Sequence, residues 1–175
     1  MSIKQPQIPD FRKVAEEVLK DVPKDVSERA RAFFMASFIK EGFTDASFIP
    51  WPKRKDSQTH KILSKSLTLR NSIKIDRADL KRIEISAGNG IPYAAIHNNG
   101  GTISVAVTDK MRKYFWFMFK KTGNAYWKNA ALTKKTRFII HIPKRQFIGN
   151  SYTLMQNVDQ WMVANIIKAE KTLKF

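Results

Sequence analysis

The alternation of apolar and polar positions divides the chain into helix-like, strand-like and aperiodic stretches. Pro9 and Asp10 suit the opening of a helix, and Phe11, Val14, Val18 and Leu19 then recur at helical spacing. Pro23 has no amide to donate, which predicts a break there. Over 24–41, Val26, Ala30, Phe33, Phe34, Ser37 and Phe38 form a broad apolar stripe, with Gly42 suited to cap its end. Gly42, Asp45, Pro50 and Pro52 remove any period over 43–60, which reads as a loop. Trp51, held between two prolines, is expected to anchor that loop on the core. Ile62, Leu63, Leu67 and Leu69 predict a short helix or turn within 61–73.

Strand character follows. Ile73 and Ile75, then Ile83 and Ile85, alternate with polar residues around a break at 77–79, predicting a hairpin with one buried face. Gly88, Asn89, Gly90 and Pro92 make a turn, and Tyr93 to His97 a short helical or irregular segment ending in Asn98, Asn99, Gly100 and Gly101. Ile103, Val105 and Val107 alternate as a third strand. Thr108 is placed to cap a helix carrying Met111, Phe115, Met118 and Phe119, although the apolar run 114–119 also admits a strand. Residues 120–136 read as a polar, basic loop. Phe138, Ile140 and Ile142 form a fourth strand stopped by Pro143. Leu154, Val158, Trp161, Met162, Asn165 and Ile166 give a final helix over 151–171. Few strands, mostly adjacent, and helices at both ends predict an α+β domain: a small antiparallel-rich sheet packed against N-terminal and C-terminal helices.

The 175 residues fit one domain, 1–175. It comprises a helical region 1–42, a sheet-bearing core 43–150 with a basic segment 110–145, and a C-terminal helix 151–175. Twelve Phe and four Trp argue against wholesale disorder. Zero Cys excludes disulfide scaffolds, thiolate metal sites and cysteine catalysis. No apolar run approaches the ~18 residues of a membrane span, and the opening MSIKQPQIPD lacks the apolar core of a signal peptide. A soluble intracellular protein without membrane contact is the expectation.

Charge changes the picture most. The net charge is +17. Residues 1–50 hold 8 basic and 8 acidic side chains, whereas 110–145 hold 11 basic and no acidic ones, interleaved with Tyr114, Trp116, Tyr126 and Trp127. Such a segment suits a polyanion, an acidic partner protein or plain solvent. Lys120, Lys121, Lys128, Lys134, Lys135 and Arg137 are its candidate polyanion-facing residues. Phe33, Phe34, Phe38, Tyr114, Trp116 and Phe117 are candidate subunit contacts, the alternative for the first three being core.

Catalytic patterns are missing. His60, His97 and His141 lie far apart without a metal-ligand spacing. Asp56, Asp76, Asp79, Glu84 and Asp109 show no paired-carboxylate spacing. GxSxG, GxxxxGK[ST] and GxGxxG are all absent. No catalytic residue, metal or cofactor is therefore assigned, and the chain reads as a non-enzyme. His97 is expected to hydrogen-bond at a turn and His141 to face solvent.

Four segments in order resemble the phage virion morphogenesis family, over roughly residues 25–165. They are the Trp51 loop, ILSKSLTLRNSI at 62–73, YAAIHNNGG at 93–101 and IPKRQFIG at 142–149. The family pattern runs from a Thr-Gly and a Leu-Arg-x-Ser stretch, through a Tyr-Ala-x-Ile-His-x-x-Gly turn, to a Pro-x-Arg-x-Phe-x-Gly element. This chain has Ser66-Leu67 in place of Thr-Gly. Leu disfavours the positive φ that Gly permits, so the turn should change shape or the correspondence slip by a residue. Gln146 stands where a second Pro is frequent, and 108–136 is longer than the shortest members need. The motif residues Trp51, Tyr93, His97, Gly100, Gly101, Pro143, Arg145, Phe147 and Gly149 read as fold-defining, with Tyr93 and His97 on one helical face and Arg145 equally suited to a partner.

The resemblance implies a tail-completion or head–tail joining protein of tailed phages, including Mu-like prophages, without catalysis. It implies a homo-oligomeric ring at the neck, with connector or head-completion proteins on one side and tail-tube or tail-terminator proteins on the other. Nonspecific DNA contact in the channel would fit the basic segment. The implied location is the virion, reached from the host bacterial cytoplasm during assembly. The alternative function is a sequence-tolerant nucleic-acid-binding protein, which basic charge and aromatics suit.

Overall fold

A computed structural model describes residues 11–54 and 59–172. The helix start at Pro9 and Asp10 lies outside the described residues. The first element, α1 (Phe11–Lys40), runs unbroken through Pro23, so the expected interruption does not occur. A proline inside a helix removes a hydrogen bond and costs about 3 kcal/mol locally. Here Val22, Val26, Ala30, Phe34 and Phe38 are all buried along one face, flanking a buried Pro23. Tertiary burial of an amphipathic stripe outweighs the local defect.

The expected loop after α1 contains a short hairpin, β1 (Gly42–Thr44) and β2 (Phe48–Pro50), paired antiparallel. Phe43 enters the core at 2% exposure, and the Trp51 amide donates to the Glu41 carbonyl at 2.7 Å, closing the turn back onto α1. The helix α2 (Thr68–Asn71) follows and buries Leu69. Next come β3 (Lys74–Ala78) and β4 (Ile83–Ser86), antiparallel with a shift between Ile75 and Arg77. Asp79 shapes their tip, its Oδ1 accepting from the amides of Lys81 and Arg82 at 2.9 Å. Ile75, Ile83 and Ile85 of this hairpin are half-buried, the ribbon packing mainly against α1, whereas Ile73 just ahead of β3 is buried at 1% exposure.

α3 (Ala94–Asn99) leads into β5 (Gly101–Ala106), and β6 (Arg137–Ile142) pairs with it antiparallel from Gly101↔Ile142 to Ala106↔Arg137. Between them stand α4 (Asp109–Thr122) and α5 (Ala125–Ala131). Thr108 caps α4 as predicted, its hydroxyl accepting the Met111 amide at 3.2 Å, so 114–119 is helix and not strand. The basic stretch 120–136 is not a loop throughout. Gly123 ends α4 in the left-handed conformation, and the Asn124 side chain accepts the Tyr126 amide at 2.9 Å to start α5. Two adjacent capping residues make a helical hairpin. The last helix, α6 (Tyr152–Thr172), packs along α1, with the Arg29 guanidinium 4.8 Å from the Trp161 ring centroid.

The α+β class stands. Among the described residues the strands form three separate two-stranded ribbons instead of one sheet. The core gathers Phe34, Phe38, Phe43, Trp51, Ile62, Leu69, Ile73, Ala94 and Phe147 from α1, the first hairpin, α2, α3 and the segment after β6. The 101–142 excursion contributes nothing to it. No described helix is long and apolar enough to cross a membrane.

Candidate functional site

Three of the four motif segments, those of Trp51, 93–101 and 142–149, converge on the root of the β5–β6 ribbon. Trp51, 5% exposed, donates its indole N–H to the Gln146 carbonyl at 2.7 Å and meets Phe38 edge-on with ring centroids 5.5 Å apart. Phe147, 1% exposed, also packs against Phe38, its ring centroid 5.3 Å away. The Asn98 side-chain oxygen accepts the amides of Phe147 and Ile148 at 3.0 and 3.2 Å. The Arg145 amide donates to the His97 carbonyl at 2.7 Å, and its guanidinium reaches the Pro52 carbonyl at 3.1 Å. Three segments distant in sequence are thus fastened by groups that would otherwise be unpaired backbone, which is how an irregular root is held in place.

Gly100 carries φ +72, and a Cβ there would sit 2.9 Å from the Lys144 nitrogen. Glycine is needed because the two chains cross here, just beyond Pro143, as they enter the ribbon. A Cβ on Gly101 would meet the Ile96 side chain at 2.7 Å, and one on Gly149 the Gln146 side chain at 2.8 Å. Tyr93 meets His97 edge-on at 5.9 Å, as their spacing predicts. His97 offers its carbonyl, while its ring Nδ1 is buried without a hydrogen-bond partner. Burial first, and the Arg145 charge second, push the His97 imidazole below its ordinary pKa of 6.5. Its neutral form is the one the root accommodates.

A second feature projects from this root. The β5–β6 ribbon carries the α4–α5 hairpin at its far end, touches it through the Phe115 and Phe138 rings, and meets the body mainly through α3. Phe115 joins the parts, with its ring 5.8 Å from Trp127 and 6.1 Å from Phe138. Arg112 spans from α4 to the Ala131 and Thr133 carbonyls at 2.9 and 2.7 Å. Residues 101–142 therefore form an arm with its own small aromatic centre.

The structure divides the predicted contact residues. Phe34 and Phe38 are buried in the chain's own core and Phe33 packs half-buried against it, so these three offer no free face. Their stripe is core because α1 has a hairpin and the root to cover it. Tyr114, Trp116 and Phe117 are exposed on α4, at 53%, 36% and 59%. Lys120 and Lys121 lie exposed on α4, and Lys134 and Lys135 between α5 and β6. Lys128 sits with Nζ 5.9 Å from the Phe119 ring centroid. Arg137 is engaged by Ser104, through Oγ at 2.7 Å and the carbonyl at 3.1 Å. His141 is exposed and hydrogen-bonds Thr102 at 2.9 Å. Asn98, Gln146 and Arg112 escaped the sequence reading, since each works through long-range backbone contacts. Lys110 and Lys113 were findable from their helical spacing to Phe117. Among the described residues no cluster of three His, Asp or Glu side chains is placed to hold a metal.

A family model for the phage virion morphogenesis family matches residues 47–168. The match begins after α1, later than the 25 that the motifs suggested, and takes in the root, the arm and most of α6. No curated protein and no solved structure matches the chain. Root motifs and family match agree: the chain belongs to the phage virion morphogenesis family, a structural rather than enzymatic family, and with that membership comes a structural role in phage morphogenesis.

Proposed function

We propose that the chain completes the tail or joins it to the head, acting as one subunit of a ring at the phage neck. The observation that supports this reading is the arm's uncovered apolar surface. Ile103 and Ile140 are cross-strand partners on one face of the ribbon, 37% and 43% exposed. Tyr126 and Leu132 add 66% and 58% exposure beyond it. A lone two-stranded ribbon is marginally stable in water, and grouped apolar exposure marks protein contact. A neighbouring subunit is the economical cover, with the braced root fixing the direction in which each arm leaves its own body. The remaining faces of such a ring would meet a connector or head-completion protein and a tail-tube or tail-terminator protein. The subunits would assemble in the host cytoplasm and end in the virion.

Electron microscopy of particles produced without this chain tests the proposal. Filled heads beside unattached tails are the expected result. Normal joined virions would reject it.

A further inference from the structure

The outward face of α4 carries a feature that a structural joining role does not require. Phe117 is 59% exposed and, unlike Tyr114 and Trp116, makes no ring contact within the arm. Helical spacing places Lys113 one turn before it, Lys120 and Lys121 one turn after it, and Lys110 two turns before, all exposed. No carboxylate occurs between 110 and 158. The described ion pairs all lie elsewhere, on α1 and the β3–β4 hairpin. These four lysines thus share a helix face with a bare aromatic ring, on a helix that Arg112 and the Phe115–Trp127 contact tie to α5.

The arm's two arginines point to the kind of partner. Arg112 and Arg137 are both committed to the arm's own backbone carbonyls. No arginine fork on this face is left to read base edges, so recognition falls to lysine, which meets phosphate as a point charge. An aromatic face beside such lysines is a stacking surface for an unpaired base. We propose that the Lys110, Lys113, Phe117, Lys120, Lys121 face of α4 is a sequence-tolerant binding site for single-stranded DNA, with lysines on phosphates and Phe117 stacked on a base. The site goes beyond the joining role and stands or falls separately from it.

Fluorescence anisotropy of the purified full chain with a labelled oligothymidylate, and with a labelled mixed-sequence duplex, tests it. The single strand should bind more tightly than the duplex. Four phosphate contacts predict an affinity loss of roughly 50-fold between about 50 and 200 mM salt. Phe117→Ala should lower single-strand affinity on the order of tenfold and leave duplex affinity unchanged. The double variant K113E/K120E should lower both by about tenfold or more. All three side chains are exposed, and circular dichroism of the variants verifies the fold. Salt-insensitive or absent binding overturns the site. Equal affinity for both DNAs with an indifferent Phe117→Ala also overturns it, leaving bare charge. Sedimentation showing that Phe117→Ala instead dissociates the chain's own oligomers would make this a face between copies, and would likewise overturn it.

Discussion

Leu67 precedes α2 with φ +57 and ψ +2, in the left-handed region. The sequence predicts a changed turn or a slipped correspondence here, because leucine disfavours positive φ; Leu67 takes that conformation nonetheless, with 39% of its surface exposed. A left-handed non-glycine residue costs roughly 1–2 kcal/mol, partly offset because glycine is more flexible when unfolded. Leu67→Gly should stabilise the chain by about 1 kcal/mol, read as a midpoint rise of about 2–4 °C in thermal unfolding. Asn98→Ala should act oppositely. It strips the acceptor from two amides at the root and should cost about 1–3 kcal/mol in denaturant titration. His97 adds a pH dependence. Its folded pKa is depressed, so the unfolded chain takes up its proton first as pH falls through 6.5. The contribution is fully present above that pH and is lost progressively below it, toward the folded pKa. Thermal midpoints measured from pH 8 to 5 should fall more steeply for the parent than for His97→Gln. Trp51, Phe147 and Gly100 were legible in the sequence, because a lone Trp between prolines and a glycine after a short helix signal their own environments. Asn98 was not, since a polar turn residue looks the same whether it faces water or braces a remote segment.

Elements were legible where one physical signal dominated. The Thr108 cap, the positions of the β3–β4 and β5–β6 strands and the α6 helix reappear, though the β3–β4 face is half-buried rather than buried and Ile166 of α6 is exposed. Pro23 misled because a local rule met a long buried stripe, and tertiary packing prevailed. Residues 120–136 misled because Gly123-Asn124 reads as a loop while acting as a cap on each side. The strand partners of the first hairpin were hidden by their length, at three residues each. The arm's separateness from the core carries its own prediction. Its ribbon is two strands wide and shares no residue with the core cluster. In the isolated chain, amides of β5 and β6 should exchange with solvent by local opening, well before those around Phe38 and Phe43. Equal protection across arm and core in hydrogen-exchange mass spectrometry would contradict that division.

At the scale of the molecule, the arm carries the densest charge, 9 basic side chains against the single acidic Asp109, while residues 1–50, which include α1, are balanced at 8 basic and 8 acidic. Composition located that segment but gave it no shape. The structure gives it one: a braced root, a thin ribbon and a helical tip, with apolar residues on the ribbon and lysines on the tip. Arms of like charge repel one another, so contact of an arm with a neighbour's charge-balanced α1 region is the arrangement that charge favours. The proposed ring depends on the ribbon face serving assembly. The direct measurement is electron microscopy of particles built with Ile140→Asp, a substitution at a residue 43% exposed. The account predicts a folded chain, with unfolding of the body changed by less than about 0.5 kcal/mol, and filled heads lying beside unattached tails. Joined, normal virions from that variant would contradict it.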